Sequence, residues 1–160
     1  MLCSSSKTFA LHQLNFLLFL YSIEDVHNGL KYALYDDEYS YDEASSKCGD
    51  EGGTLAMAAD NDTFNVLADM IQVYSLRPRK SYSAFIDGSY DTATDAWRCV
   101  NTQGSSCPAT MPWQPGQPDD PSNQQCIAVM WSYDEGVGDI ECFHKTAVIC
   151  QFTMQKITRF

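Results

Sequence analysis

The residues best equipped for chemistry in this chain are oxygen-bearing side chains between positions 117 and 139. Gln117, Asp119 and Gln124 belong to an irregular stretch rich in Gly, Pro, Ser, Asn and Gln, and Asp139 follows it. Calcium takes roughly six to eight hard oxygen ligands, several of them anionic, and it tolerates irregular loops. A loop of this length inside a compact domain is usually functional, so we expect a binding site here.

Patterns typical of enzymes are weak in this sequence. His144 is the sole histidine in the core region, and neither a Gly-x-Ser-x-Gly nor a His-Glu-x-x-His motif accompanies it. Asp119 and Asp139 could form the carboxyl pair of a glycosidase, but an exposed loop without a deep cleft disfavours that chemistry. Zinc is disfavoured too, because no Cys-x-x-Cys pair occurs and the histidines are scattered. We predict that the protein is not an enzyme.

The composition indicates one globular domain that does not bind polyanions. The chain has 160 residues, 44% of them hydrophobic, and a formal net charge of −11. This size suits a single hydrophobic core. Because nucleic acids and anionic membranes would repel so acidic a protein, we expect neither as a partner. Positive charge clusters in the loop Arg77-Pro78-Arg79-Lys80, which we interpret as a solvated turn.

Residues 1–23 resemble a secretory signal peptide. Lys7 supplies a positive charge, and residues 14–21 form an apolar run too short to span a bilayer. Cleavage after Ser22 would remove Cys3, one of seven cysteines, and leave an even set of six. Such a set is typical of disulfide-bonded secreted proteins, so we expect an extracellular location. A mis-set start codon or an ordinary buried strand is the alternative explanation of the apolar run.

Two helices are predicted in the first half of the chain. Ser40 and Glu43 have the spacing of a capping box, which opens a helix with one mostly apolar face: Tyr41, Ala44 and Cys48. The second helix is capped by Asn61 or Asp62. Its core positions repeat at helical spacing: Phe64, Leu67, Ala68 and Ile71.

Strands account for most of the remaining pattern. Alternating or continuous apolar residues predict extended runs at 30–35, 54–57, 81–87, around Trp97, 126–131 and 146–152. Phe85 interrupts the alternation of the third run. The order of these elements predicts an α+β fold.

Asn61-Asp62-Thr63 is an acceptor sequence for N-linked glycosylation. In a secreted chain we expect a glycan on Asn61. The alternative is that the same asparagine caps the helix unmodified.

The cysteines frame Trp113 and the tripeptide Gln117-Pro118-Asp119 in a distinctive way. One cysteine lies early, two are sixteen residues apart, and one closes the last apolar run: Cys48, Cys126, Cys142 and Cys150. This combination resembles the C-type lectin-like domain over residues 29–153, with a tail at 154–160. The resemblance implies an α+β fold in which two helices flank small antiparallel sheets, with a long irregular loop region and disulfide staples.

Spacing alone leaves the pairing of the six cysteines open. The resemblance implies three bridges, the last by default: Cys48–Cys150, Cys126–Cys142 and Cys99–Cys107. No thiol would then remain as a nucleophile.

The resemblance also implies a calcium site that binds sugar. In the family, a proline tripeptide supplies two side-chain oxygens beside a cis peptide bond, and an acidic residue two positions before the inner cysteine joins them. An Asn-Asp pair three positions before the partner cysteine completes the site, and two vicinal sugar hydroxyls bind the metal directly. The matching residues here are Gln117, Asp119, Gln124 and Asp139. The Gln-Pro-Asp tripeptide is associated with galactose-type sugars.

This sequence departs from the family's calcium ligands at two positions. Gln124 stands where an acidic residue is expected, and Gly138 replaces the asparagine. Asp119 and Asp139 are the two dependable negative charges that remain, which is few for a divalent ion.

A third departure concerns the sugar. Many galactose-type members place a tryptophan just after the tripeptide to stack on the pyranose ring, and Pro121-Ser122 occupies that place here. Tyr133 or Trp131 would have to supply the ring, and we take Tyr133 as the candidate sugar-binding aromatic. Two hypotheses follow: a calcium-dependent lectin that binds galactose-type glycans, or a calcium-independent module of the same fold that binds protein.

Overall fold

The part of the chain whose fold can be described begins just after the apolar N-terminal run. A computed structural model describes residues 22–75, 83–100, 107–130 and 136–154. The basic segment 77–80, Trp131 and Tyr133 lie outside these ranges. Most of the predicted leader and tail, residues 1–21 and 155–160, also lie outside them, so both stay predictions.

A hairpin built on an Asn-Gly turn opens the fold. Strand β1 (Ser22–His27) pairs antiparallel with β2 (Leu30–Tyr39), and the two turn residues have φ of 49° at Asn28 and 76° at Gly29. Positive φ at both positions is what a tight two-residue hairpin turn requires, and Asn-Gly provides it at low steric cost. Sequence analysis predicted β2 only to residue 35, and β1 begins within the last two residues of the predicted leader.

Helix α1 (Tyr41–Asp50) starts where the capping box predicted it. The peptide N–H of Ser40 donates to Glu43 Oε2 at 2.7 Å, and Ala44 and Cys48 face the core with no exposed surface. The Lys145 ammonium beside Glu43, together with that peptide N–H, lowers the pKa of the Glu43 carboxyl to about 2. The exposed end of α1 is therefore bonded to the turn that precedes the last strand.

Helix α2 (Asn61–Ser75) is capped by a residue that sequence analysis did not select. Asp60 Oδ1 accepts the peptide N–H of Thr63 at 2.7 Å, and this bond lowers the pKa of the Asp60 carboxyl. The expected caps, Asn61 and Asp62, were wrong because both already lie in the first turn of the helix, one and two positions after the capping residue. The predicted core positions of the helix are all buried, as expected: Phe64, Leu67, Ala68 and Ile71.

One mixed sheet joins all the strands of the described residues. The remaining strands are β3 (Thr54–Leu55), β4 (Ser83–Asp91), β5 (Ala96–Arg98), β6 (Cys126–Met130), β7 (Gly136–Ile140) and β8 (Thr146–Thr153). Their order is β1-β2-β8-β4-β6-β7, with β3 added to β8 and β5 added to β4. The small antiparallel sheets expected from the resemblance thus belong to a single sheet. Strands β4 and β8 join them as a parallel pair.

The two helices cover opposite faces of this sheet. Leu67 and Ile71 of α2 belong to a core cluster with Ile86 of β4, whereas Ala44 and Cys48 of α1 belong to a second cluster. Phe85 falls in the second cluster, which explains why it interrupts the apolar alternation predicted for β4. Both sides of that strand are buried, so consecutive residues are apolar.

Three disulfides fasten the loops to this core, and the pairing implied by the resemblance is confirmed. The bonds are Cys48–Cys150, Cys99–Cys107 and Cys126–Cys142, with sequence separations of 102, 8 and 16 residues. Loop-closure entropy assigns about 4.7 kcal/mol to a loop of about 100 residues and about 3 kcal/mol to one near fifteen. The long bond therefore contributes most, and it joins α1 to the central strand β8.

Candidate functional site

The irregular segment before β6 is fastened to strand β7 by backbone hydrogen bonds. Val137 N–H donates to the Pro112 carbonyl at 2.9 Å, and Gln114 N–H donates to the Val137 carbonyl at 2.9 Å. Gly136 makes this approach feasible, because a Cβ there would lie 2.6 Å from the Gln114 nitrogen. Sequence analysis did not predict β7, so this support of the loop is a finding of the structure.

The proline tripeptide has the backbone form that the resemblance implies. The Gln117–Pro118 peptide is cis, and the Gln117 N–H donates to the Gln114 carbonyl at 2.9 Å. Gly116 precedes it with φ of 87°, a conformation that L side chains rarely adopt. The chain thereby turns so that Gln117 faces β7.

Four predicted site residues meet around Asp139, and we call this group of Gln117, Asp119, Gln124 and Asp139 the Asp139 cluster. Asp139 lies in β7 with only 2% of its surface exposed. Its Oδ1 accepts the peptide N–H of Asp119 at 3.1 Å, and its Oδ2 accepts that of Asp120 at 3.0 Å. Its own N–H donates to Gln117 Oε1 at 3.1 Å. The buried carboxylate therefore holds the tripeptide loop against the sheet.

Gln124 closes the Asp139 cluster from the other side. One end of its amide group faces the Asp139 carbonyl oxygen at 3.1 Å and Asp119 Oδ1 at 3.2 Å. Both neighbours are acceptors, so the amide is assigned with its nitrogen towards them, where it donates to both. All four members of the cluster are thus connected to one another by hydrogen bonds.

The carboxylate of Asp120, unlike its peptide N–H, forms its hydrogen bonds outside the Asp139 cluster. Both of its carboxylate oxygens accept from Asn123 Nδ2, at 3.1 and 2.9 Å, and its carbonyl accepts the peptide N–H groups of Asn123 and Gln124. This small turn places Gln124 opposite the tripeptide. The side-chain partner of the Asp120 carboxylate is thus Asn123 and not a member of the cluster.

The absence of a side chain at Gly138 leaves room for the Met130 side chain. A Cβ on Gly138 would lie 2.8 Å from Met130 Sδ and 3.2 Å from Gln117 Oε1. The asparagine that the family pattern places there would displace the Met130 side chain. The Met130 side chain thus occupies the space that an asparagine side chain at position 138 would need.

The donor set is lean for a calcium ion. It contains two carboxylates, and both oxygens of the Asp139 carboxylate already accept peptide N–H groups. Gln117 Oε1 accepts a third peptide N–H, and Gln124 presents nitrogen to the group. Calcium takes roughly six to eight oxygen ligands with several negative charges. Within the described residues, no group of three or more His, Cys, Asp or Glu side chains is placed to hold a metal ion.

The carboxyl pair does not have the geometry of a glycosidase either. Asp139 is almost completely buried and engaged in two hydrogen bonds, so its carboxylate is not available for proton transfer or nucleophilic attack. The candidate aromatic Tyr133 lies outside the described residues. Its role in stacking on a sugar stays a prediction.

Two helices on opposite faces of one sheet, three disulfides and a loop with a cis proline define a C-type lectin-like fold. Residues 37–152 match the family model described as the lectin C-type domain. The chain belongs to this family.

Proteins similar to this chain include a collectin, a protein solved in complex with GlcNAc and an antifreeze protein. Over 125 residues it is 32% identical to collectin-10 of Gallus gallus, covering 78% of this chain and 42% of that protein. The chain thus spans less than half the length of this relative. Among solved structures, the SPL-1–GlcNAc complex has a TM-score of 0.67 at 17% identity, covering 82% of this chain and 93% of that one. A calcium-independent type II antifreeze protein has a TM-score of 0.65 at 20% identity, covering 81% of this chain and 91% of that one.

Neither helix in the described ranges has the length and apolar character needed to cross a lipid bilayer.

Proposed function

We propose that this protein is a non-catalytic recognition domain that binds glycans at the Asp139 cluster. The observation that carries the proposal is that Gln117, Asp119 and Gln124 of the loop converge on Asp139 of strand β7. Collectin-10 and the GlcNAc complex of SPL-1 are relatives whose names point to sugar recognition. The Gln-Pro-Asp tripeptide supports a galactose-type sugar.

Sugar hydroxyls are recognised in this proposal by direct hydrogen bonds. Gln117 Oε1 is held by the peptide N–H of Asp139, which leaves the amide nitrogen of Gln117 as the donor to a ligand. Asp119 is exposed, and its carboxylate is the acceptor. A hydroxyl both donates and accepts, so a neighbouring donor and acceptor at fixed positions select the directions of two hydroxyls. Asp139 does not touch the sugar but fixes the loop that carries Asp119.

Calcium is not part of this proposal. The calcium role of the four residues stays a prediction from the resemblance, and the donor chemistry described above weighs against it. A loop held by its own hydrogen bonds already has the rigidity that a metal would otherwise supply.

Binding to a glycan array tests the proposal. We expect the wild-type protein to prefer galactosides over mannosides, equally with chelator or with calcium present. Asp119→Asn replaces an acceptor oxygen with a donor and should weaken binding about tenfold, since a lost hydrogen bond to a charged group is worth about 1.5–3 kcal/mol. Asp69→Asn, the same change on the exposed side of α2, is the matched control and should bind like wild type.

The second candidate function is recognition of a protein through the same loop surface. It is favoured by the assignment of the Gln124 amide nitrogen towards Asp119 and Asp139 and by the likeness to a calcium-independent antifreeze protein. Absence of binding to every glycan on the array would replace the first proposal with this one.

An extracellular location is also part of the proposal. All six cysteines of the described residues are paired, and stable disulfides of this kind form in oxidising compartments. The predicted leader at residues 1–23 supports secretion.

A further inference from the structure

Two hydrogen-bond acceptors of the Asp139 cluster lie close together, so they need a hydrogen-bond donor or a cation between them. The Asp139 carbonyl oxygen and Asp119 Oδ1 both lie close to a single atom of the Gln124 amide, at 3.1 and 3.2 Å. Two oxygens that converge on a third oxygen repel one another, whereas they are satisfied by an N–H group or by a cation. The residue type at position 124 therefore decides how the loop is closed.

We propose that the Gln124 amide nitrogen takes the place of a cation, so that the loop reaches its binding conformation without metal. The two N–H groups of one NH₂ bond to the two oxygens that a metal would otherwise draw together. The resemblance expects an acidic side chain at this position, which has no N–H group to give. The inference concerns the closure of the loop and does not depend on which ligand the surface binds.

A change of one atom at Gln124 reverses this arrangement. Gln124→Glu keeps the length and shape of the side chain but replaces the donor nitrogen with a negatively charged oxygen. That oxygen faces Asp119 Oδ1 and the Asp139 carbonyl. In the absence of metal, repulsion among these three oxygens opposes the closed form of the loop. The substitution also raises the number of carboxylates in the cluster from two to three, which favours calcium. The variant should therefore depend on calcium, although the wild type does not.

Thermal melting in calcium and in chelator tests the proposal. We expect the same melting temperature in both conditions for the wild type. Gln124→Glu should melt at a lower temperature in chelator and rise by about 5 °C or more in saturating calcium, because a ligand that binds only the native state stabilises it. Gln125→Glu is the matched control. The charge change is the same, but Gln125 donates to the Ser122 carbonyl outside the cluster, so no calcium response is expected.

A charge-swapped double variant covers the case in which Gln124→Glu does not fold in either condition. Adding Asp119→Asn supplies an amide donor opposite the new carboxylate and restores the net charge, so the hydrogen bond is remade with its direction reversed. We expect this double variant to fold in chelator and to lose the calcium response. A wild-type protein that gains as much melting temperature from calcium as Gln124→Glu would overturn the proposal, as would a double variant that remains unfolded. No glycan takes part in these measurements, so their outcome is separate from that of the array.

Discussion

Asp139→Asn is the substitution that tests most directly how the site is built. The carboxylate accepts two peptide N–H groups and is 2% exposed, so both bonds are shielded from water. Asparagine keeps one acceptor oxygen but turns an NH₂ group towards the other peptide N–H. Hydrogen bonds to charged groups contribute about 1.5–3 kcal/mol each, so losing one and weakening the other should cost about 3 kcal/mol. Less repulsion from Asp119 offsets little of this, because Asp119 is exposed and screened by solvent.

The free energy of unfolding is measured by urea denaturation with the disulfides intact and chelator present. Asp69→Asn serves as the control, since Asp69 is exposed on α2, and surface substitutions of this kind stay within about 0.5 kcal/mol of wild type. The slope of the transition should not change, because the loop is a small part of the surface exposed on unfolding.

A loss below about 1 kcal/mol in Asp139→Asn would refute the reasoning, since a single ordinary hydrogen bond is worth that much. It would mean that the peptide N–H groups of Asp119 and Asp120 are satisfied by water and that the buried carboxylate does not hold the loop. Native domains are stable by only about 5–15 kcal/mol, so the expected loss is easily measured.

Two further predictions concern the helix starts. The pKa of Glu43 is lowered from its ordinary value of 4.5 to about 2, first by Lys145 and then by Ser40, so its stabilisation is complete above 4.5 and is lost as the pH falls towards 2. The melting temperature of wild type should exceed that of Glu43→Gln at neutral pH and equal it near pH 2, and a difference that does not vary with pH would contradict this. Protein from a eukaryotic host should carry a glycan on Asn61. Glycosidase treatment should then lower the mass of the wild type but not that of Asn61→Gln. An unmodified wild-type mass would show that the exposed acceptor is not used.

Local signals were sufficient to predict much of this fold. The capping box at Ser40 and the apolar spacing of α2 depend on residues within one or two turns of each other, so they can be read without tertiary contacts. The disulfide pairing and the cis Gln117–Pro118 peptide came from the resemblance, and the structure bears both out.

Strand β7 could not be predicted because the residue types within it do not favour a strand and its contacts are with other segments of the chain. Gly136 and Gly138 disfavour a strand by themselves. Gly136 is needed to let the Gln114 backbone approach, and the absence of a side chain at Gly138 leaves room for the Met130 side chain. The same holds for the site. Sequence analysis selected Gln124 for its oxygen, whereas the proposed closure of the loop uses its nitrogen, which depends on the position of the Asp139 carbonyl.

The disulfides also determine what a protease can do to this molecule. A single backbone cut anywhere between Cys48 and Cys150 leaves two fragments that remain covalently joined, since that bond links cysteines with a sequence separation of 102. Cys99–Cys107 and Cys126–Cys142 bracket two shorter segments in the same way, so a nick inside either is bridged twice. Cleavage in these regions opens a loop without releasing any strand of the sheet. A copy of this domain that is nicked in these regions therefore keeps its covalent framework.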